Sequence, residues 1–241
     1  MGTHGPRPAA QEPPRLSEGA RRRSDLYGRR AGRPLSAKQT CLVEELLPKI
    51  AVPTGAVDLE ALFPSAEDFA LEVGFGGGEH LATQARLHPR TAFIGCEPFL
   101  NGVAKLLTQI EAQAIANIRV HNDDARDVLS RLPDATLSRV FVLFPDPWPK
   151  LRHHKRRFIQ TAVLDELARV MRVGAELRLA SDHMEYARWS LALMMRHGGF
   201  RWTAEGAQDW RARGPDWPAT RYEEKALKAR RVCVYLRFIR T

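Results

Sequence analysis

VFVLFPDPWPKLRHHKRR, residues 140–157, is the stretch that decides the fold. It begins as an apolar run of β-branched and aromatic residues, which predicts a buried strand over 140–144. Three prolines within the next five residues lack the amide donors that a strand needs, so the strand ends there. We therefore expect a rigid tip that holds Asp146 and Trp148, followed by a basic segment without any acid.

Three more predicted strands precede this one, at 69–73, 92–96 and 118–121. The first runs into a glycine-rich turn that contains Gly74, Gly76, Gly77 and Gly78 (the glycine turn), and a helix is predicted from Glu79. Glycines at such a turn let the backbone approach a ligand closely at the start of a helix. The glycines are spaced G-x-G-x-G, which differs from the G-x-G-x-x-G of dinucleotide-binding proteins.

A carboxylate lies at or near the end of each of these four strands: Glu72, Glu97, Asp124 and Asp146. Glu97 lies 19 residues after Gly78, where Rossmann-type sites bind ribose hydroxyls. A single acid after a strand is usually a helix cap, and that interpretation suits Asp123 best. Four acids at one edge of a sheet are harder to explain as caps.

The glycine turn is surrounded by acids and has no P-loop lysine after it, so the pattern favours a cofactor without phosphates. S-adenosylmethionine fits, because it carries a sulfonium, an α-amino group and a ribose. The predicted fold is α/β, a Rossmann-like class I S-adenosylmethionine-dependent methyltransferase with a mostly parallel seven-stranded sheet and a C-terminal antiparallel hairpin. The other predicted elements are helices over 36–50, 58–63, 158–171 and 184–196, and strands over 175–180, 200–204 and 232–239.

The charge of the chain is concentrated at its start. Of the 241 residues 37 are basic and 28 are acidic, and residues 1–40 hold nine of the bases but only three of the acids. We predict a disordered basic tail at 1–23 and a methyltransferase domain at 24–241. A basic tail and a basic face beside the tip both indicate a polyanionic partner such as a nucleic acid.

Three widely spaced cysteines form no zinc or disulfide pattern and fit the reducing cytoplasm. No apolar run is long enough for a membrane span, so no membrane partner is expected. His153 and His154 have no acid or cysteine beside them, and we predict no metal site. A monomer and a homodimer are both compatible with the sequence.

Together these residues resemble the bacterial tRNA (guanine-N7)-methyltransferases. The resemblance covers about 24–241 in family order, and it departs from the family in the Arg/Pro-rich start and at Tyr222, where phenylalanine is expected. The proline-bracketed aspartate and its basic continuation are its most specific part. The matching pieces are YGRRAGRPLS, LEVGFGGGEHL, FIGCEPF, NDDARDVL, FPDPWPKLRHHKRR, the Ala180-Ser181-Asp182 strand end and TRYEEKAL.

The resemblance implies methyl transfer from S-adenosylmethionine to N7 of a guanine in the tRNA variable loop, position 46. It implies that Glu72, Glu97, Asp124 and Asp146 contact the cofactor, with Asp146 nearest the reacting centre as the catalytic residue. The substrate guanosine would be bound by Lys150, Asp182, Thr220, Arg221, Tyr222 and Glu223. The RNA would be bound by Arg152, His153, His154, Lys155, Arg156 and Arg157.

Several alternatives remain open at this point. An adenine or cytosine amino-methyltransferase would need a second proline before the aromatic residue of the tip, which this chain lacks. A non-catalytic RNA-binding Rossmann-like module would not need the four acids, and an NAD-dependent oxidoreductase would need another glycine spacing. Trp148 could stack on a base or pack in the core. From the residues alone, Asp182 fits a helix N-cap best.

Overall fold

The computed structural model describes residues 30–241 of the chain. The predicted basic tail, residues 1–23, and the first residues of the predicted domain, 24–29, lie outside it. No helix within 30–241 is both long and apolar enough to cross a membrane.

A single seven-stranded sheet organises the chain, in the order β3-β2-β1-β4-β5-β7-β6. The first five strands of this order are parallel, and β7 runs antiparallel to both β5 and β6. The predicted fold and its C-terminal antiparallel pair are therefore confirmed. The strands are β1 (Asp68–Val73), β2 (Thr91–Cys96), β3 (Ile118–His121), β4 (Leu137–Leu143), β5 (Met171–Ser181), β6 (Phe200–Trp202) and β7 (Val234–Arg240).

Ten α-helices accompany the sheet among the described residues. They are α1 (Ala37–Glu45), α2 (Leu47–Ile50), α3 (Leu59–Leu62), α4 (Glu79–Leu87), α5 (Leu100–Gln113), α6 (Ala125–Leu129), α7 (Thr161–Val170), α8 (Met184–Arg196), α9 (Gln208–Arg211) and α10 (Arg221–Lys228). A 3₁₀ helix, Leu151–Arg156, follows the tip.

Alternation along the central strands produces two separate cores, because successive strand side chains point to opposite faces. On β4, Val140 and Val142 pack in one core, together with residues of α6, α7 and α8. Phe141 and Leu143 pack in the other core, with residues of α1, α4, α5 and α10. The chain order reverses between β1 and β4, so their carboxyl ends form the crevice where open α/β sheets bind ligands.

Some predicted boundaries are wrong. The predicted helix over 36–50 is divided into α1 and α2, because Pro48 cannot donate an intrahelical hydrogen bond. The helix predicted to end at 171 ends at Val170, and β5 follows at once, with Gly174 inside the strand at φ 84°. The long loop predicted after β6 contains α9 and α10. The Thr220-x-x-Glu223 spacing is a helix-start pattern that could have predicted α10.

Candidate active site at the carboxyl ends of the strands

A cavity of about 140 Å³ lies at the carboxyl ends of the central parallel strands. Two of the four predicted strand-end acids, Asp124 and Asp146, line it, together with Asp123. This volume is below the roughly 300–1,000 Å³ of a complete small-molecule pocket, so the cavity by itself would not enclose a ligand of that size. Its lining residues are Val73, Gly74, Cys96, Pro98, Asp123, Asp124, Ala125, Arg126, Pro145, Asp146, Trp148, Arg156 and Phe158.

The glycine turn forms the floor of this region. Gly74 has φ 69°, and a Cβ built on it would meet nothing within 4 Å, so its backbone faces open space beside the cavity. Gly76 has φ 58°, and a Cβ there would lie 2.6 Å from Cε2 of Tyr222. The left-handed backbone favours glycine at Gly76, and any larger side chain would also displace the ring of Tyr222.

Glu97 organises the glycine turn. Its carboxylate accepts hydrogen bonds from the backbone N–H of Gly76 (2.7 Å) and of Phe99 (2.9 Å), one on each oxygen. The side chain is buried, and desolvation raises the pKa of Glu97 although both hydrogen bonds favour the ionised form. Each oxygen keeps a lone pair that can accept from a ribose hydroxyl.

Glu72 lies behind the site, away from the cavity lining. It is buried, and its carboxylate is 2.7 Å from Nδ1 of His80, which is itself buried at the start of α4. The imidazole packs edge-on against Phe141. Glu72 therefore connects β1 to α4 and braces the turn between them. Its predicted direct contact with a cofactor stays a prediction.

Asp124, rather than Asp123, caps α6. Asp124 is the N-cap of α6: it accepts from the backbone N–H of Arg126 at 2.9 Å and pairs with the same guanidinium. Asp123 is paired with Arg30 at 3.3 Å. The interpretation of Asp123 as the helix cap was wrong, since Asp124 caps α6 while also lining the cavity.

The tip after β4 carries Asp146 into the cavity wall. Its side chain is exposed at the mouth, but surrounding protein atoms desolvate the carboxylate and raise the pKa of Asp146. Trp148 also lines the cavity, half-buried, with its ring edge-on to His153 and 5.1 Å from the guanidinium of Arg156. Trp148 belongs to neither core, so of the two alternatives left open for it, packing in the core is excluded.

The start of α10 lies over the glycine turn. Thr220 caps this helix through the backbone N–H of Glu223, and Tyr222 covers Gly76. Arg221 lies 3.9 Å from Glu79 in the turn. Glu223 is buried and accepts a hydrogen bond of 2.6 Å from the hydroxyl of Tyr235. Of these predicted substrate residues, Arg221 and Tyr222 face outward, whereas Thr220 and Glu223 hold the helix in place.

Asp182 and Lys150 do not line the cavity. Asp182 is ion-paired with Arg231 at 3.1 Å, and the N-cap of α8 is His183, whose Nδ1 accepts from the backbone N–H of Tyr186. The helix-cap interpretation of Asp182 was therefore wrong. Lys150 is exposed at the start of the 3₁₀ helix.

The basic segment 152–157 is divided between the surface and the interior. Arg152 and Lys155 are exposed, and His153, His154 and Arg156 are half-buried. Arg157 is fully buried, with none of its side chain exposed. A fully buried side chain cannot contact RNA, so the predicted contact of Arg157 with RNA is wrong.

Sequence reasoning missed a buried network that anchors the loop before α10. Arg178 of β5 is buried and donates to the carboxylate of Asp216 in that loop. Nε2 of Gln84 on α4 donates to the backbone carbonyl of Asp216 at 2.8 Å. The arginine also lies 5.2 Å from the ring of Trp217. No signal in the sequence marks Arg178, because an arginine at the centre of a strand usually indicates exposure.

The arrangement suits a cationic cofactor without phosphates. Gly74 leaves an open approach to the backbone, and the carboxylates of Asp124 and Asp146 face the cavity beside it. These groups can neutralise a positive charge, while Glu97 can accept from ribose hydroxyls. Within residues 30–241, no cluster of three His, Cys, Asp or Glu side chains could hold a metal ion.

Solved structures with a similar fold include the 16S rRNA methyltransferase KamB, with a TM-score of 0.56 and 19% identity over 76% of this chain and 92% of that one. An S-adenosylmethionine-dependent methyltransferase from Aquifex aeolicus has a TM-score of 0.50 and 15% identity over 82% and 89% of the two chains. At such low identity these structures show the fold alone.

Sequence comparison is more specific. Residues 66–236 match a family described as "Putative methyltransferase". The tRNA (guanine-N(7)-)-methyltransferase of Rhodospirillum rubrum is 50% identical over 89% of this chain and 87% of its own length. The enzymes of the same name from Nitrobacter hamburgensis and Rhizobium meliloti are 46% and 47% identical, over 98% and 93% of this chain and 94% and 98% of their own lengths. The chain therefore belongs to the tRNA (guanine-N7)-methyltransferase family.

Proposed function

We propose that this protein transfers a methyl group from S-adenosylmethionine to N7 of a guanine in the variable loop of tRNA, position 46. The observation that carries the proposal is the position of Asp146, which lines the cavity at the strand ends directly before an exposed basic segment. The relatives named tRNA (guanine-N(7)-)-methyltransferase support the same reaction. The position in tRNA rests on the resemblance of the motifs.

The reaction needs little proton chemistry from the chain. Guanine N7 already carries a free lone pair, so no residue has to remove a proton before the nitrogen attacks. S-adenosylmethionine supplies a methyl group bound to a positively charged sulfur. The N7–carbon bond forms as the sulfur–carbon bond breaks, and the positive charge passes to the guanine ring.

Residues of the chain then act by alignment and by charge. The carboxylate of Asp146 stabilises positive charge next to the reacting atoms, before and after transfer. Its desolvated surroundings strengthen that interaction. Asp124 and Glu97 hold the cofactor, and Glu72 supports the turn from behind through His80. Most of the rate enhancement comes from holding N7 in line with the methyl carbon.

The substrate lies between α10 and the basic segment. Arg221 and Tyr222 contact the guanosine from the side of the glycine turn, and Lys150 and Asp182 also bind it. Arg152, His153, Lys155 and Arg156 contact the RNA backbone, and His154 lies at the edge of this surface. Three free cysteines support a cytoplasmic location for the enzyme.

Mass spectrometry of nucleosides tests this proposal. Purified protein is incubated with unmodified tRNA and methyl-labelled S-adenosylmethionine, and we expect labelled 7-methylguanosine from the variable loop. Asp146→Asn should yield none. Asp134→Asn is the matched control, because Asp134 is an exposed aspartate that precedes β4 at the other edge of the sheet. Labelled adenosine or cytidine would support an amino-methyltransferase, and RNA binding without any label would support a binding module.

A further inference from the structure

The tip 144–150 cannot hold its own shape. Its three prolines provide no backbone donors, so they cannot form the hydrogen bonds that usually close a loop. Two residues that are not glycine, Phe144 (φ 51°) and Trp148 (φ 42°), adopt left-handed backbone conformations. Such conformations persist only where the surrounding structure imposes them. The conformation that carries Asp146 therefore has to be fixed from outside the tip.

Arg157 supplies the missing donors. Its Nε donates to the backbone carbonyl of Pro147 at 3.0 Å, and its Nη2 lies 3.4 Å from the carbonyl of Trp148. These two carbonyls directly follow Asp146 and bracket the residue with the strained backbone. The planar guanidinium presents its donors in a fixed fork, so two neighbouring carbonyls held by it are fixed relative to each other.

The guanidinium is itself tied to the frame of the protein. Both Nη atoms bond to the carboxylate of Glu185 in the first turn of α8, at 3.0 and 2.5 Å. The hydrogen bond from Arg157 lowers the pKa of Glu185. The rings of Tyr186 and Trp189 lie 5.6 and 5.0 Å from the guanidinium carbon. Arg157 thus connects the tip to α8, on the side of the sheet away from α10.

We propose that Arg157 and Glu185 form a clamp that positions Asp146, and that Arg157 makes no contact with RNA. This inference rests on the proposed function, because it assigns Asp146 to the reacting centre. Arg157 follows exposed basic residues in the sequence, but it is turned inward and cannot reach a phosphate. It is a positioning residue for methyl transfer.

Charge-removing and charge-conserving variants separate the clamp from RNA contact. For Arg157→Gln we expect kcat at saturating tRNA to fall roughly 100-fold, as a displacement of about 1 Å in a reacting group can cause. The salt dependence of tRNA binding should stay unchanged, since a buried guanidinium neutralises no phosphate. Arg157→Lys should not restore kcat, because an ammonium lacks the fork. If Arg157 contacted a phosphate, Arg157→Gln would instead lower the magnitude of the salt slope of tRNA binding by about 0.7–0.9, and Arg157→Lys would restore it.

Glu185→Gln tests the other half of the clamp at a half-exposed side chain. Its amide oxygen can still accept one hydrogen bond from Arg157, so the loss of stability should be smaller than for Arg157→Gln. The clamp requires a fall in kcat with an unchanged salt slope. Loss of an acid beside an RNA-binding arginine would instead strengthen tRNA binding and leave kcat unchanged. Arg152→Gln, at an exposed arginine proposed to contact RNA, should reduce the salt slope. Arg90→Gln is the matched control, because Arg90 is exposed and precedes β2 at the other end of the strands, and it should leave both the salt slope and kcat unaltered. If Arg157→Gln fails to fold, Glu185→Gln decides the question.

A measurement without substrate separates this inference from the proposed function. In protein labelled with 5-fluorotryptophan, the Trp148 resonance is assigned by comparison with Trp148→Phe. We expect this resonance to shift in both clamp variants and to stay in place in Arg152→Gln. A wild type that makes no 7-methylguanosine, together with shifted clamp variants, would refute only the proposed function. An unmoved resonance and an unchanged kcat in the clamp variants would overturn the clamp.

Discussion

Replacing Glu97 should weaken the fold and the cofactor site together, by amounts that follow from its two hydrogen bonds. Glu97→Ala leaves the buried backbone N–H of Gly76 and the partly buried backbone N–H of Phe99 without an acceptor. Each such orphan costs about 1–3 kcal/mol. Removal of a carboxylate whose pKa is raised by burial returns part of that cost, because the charge was disfavoured there. We therefore expect a loss of about 2–4 kcal/mol in the free energy of unfolding.

Glu97→Gln provides a graded comparison. Its single carbonyl oxygen can accept from only one of the two N–H groups, and its amide group opposes the other. The loss should be about 1 kcal/mol, the low end of the range for one unsatisfied donor. Urea unfolding gives these free energies, and calorimetric titration with S-adenosylmethionine gives the affinity. We expect the dissociation constant to rise in both variants, more in Glu97→Ala.

Glu79→Gln is the control, since Glu79 begins α4 directly after the glycine turn and has a partly exposed side chain with an ion-pair partner 3.9 Å away. It should change stability by less than about 0.5 kcal/mol. If Glu97→Ala were as stable as the wild type, the carboxylate would not organise the turn. If its cofactor affinity were unchanged despite a weaker fold, Glu97 would serve the turn alone.

Three further predictions concern the rest of the site. Desolvation raises the pKa of Asp146, so the contribution of this carboxyl group to stability is lost as pH rises through that pKa. At neutral pH, Asp146→Asn should therefore unfold at an equal or higher temperature than the wild type. The same variant should have no methyl transfer activity. In the wild type, kcat/KM should fall as pH is lowered through a pKa above the ordinary value of about 3.9, because kcat/KM reports the free enzyme; a lower midpoint would contradict the assignment. Asp216→Ala removes an ion-pair partner of the buried Arg178. Because Asp216 is half-exposed, the free energy of unfolding should fall by about 1–3 kcal/mol, which is less than for a fully buried pair. The KM for tRNA should rise. Deletion of residues 1–22 should reduce the salt slope of tRNA binding and leave kcat at saturating tRNA unchanged. An unchanged slope would show that the arginines of this segment, Arg7, Arg15, Arg21 and Arg22, do not contact RNA.

The fold could be predicted from the sequence because each pattern that indicates it spans only a few residues. The apolar run before the prolines, the glycine turn and the acid at the end of β2 each depend on short-range geometry. Parallel strands joined by helices then leave little freedom in topology. The strand-end acids are an example: Asp124 and Asp146 come together because parallel strands end at one edge of the sheet.

The roles of neighbouring acids and bases could not be read in the same way. Asp123 and Asp124 are adjacent, and only the direction of α6 decides which one caps it. Asp182 and His183 pose the same question at α8, with the cap falling to the histidine. Such choices depend on a backbone turn of one residue, which a sequence pattern does not resolve.

The sequence by itself determined the mostly parallel sheet, the family, and the carboxylates at the strand ends that suit a cationic cofactor without phosphates. Only the tertiary structure decided which charges face solvent. Arg156 and Arg157 are consecutive and chemically identical, yet one lines the cavity and the other is fully buried against Glu185. The physical reason is that burial of a charge depends on partners distant in the chain: Glu185 and the carbonyls of the tip offset the cost of desolvating Arg157, and only the folded chain brings them to it.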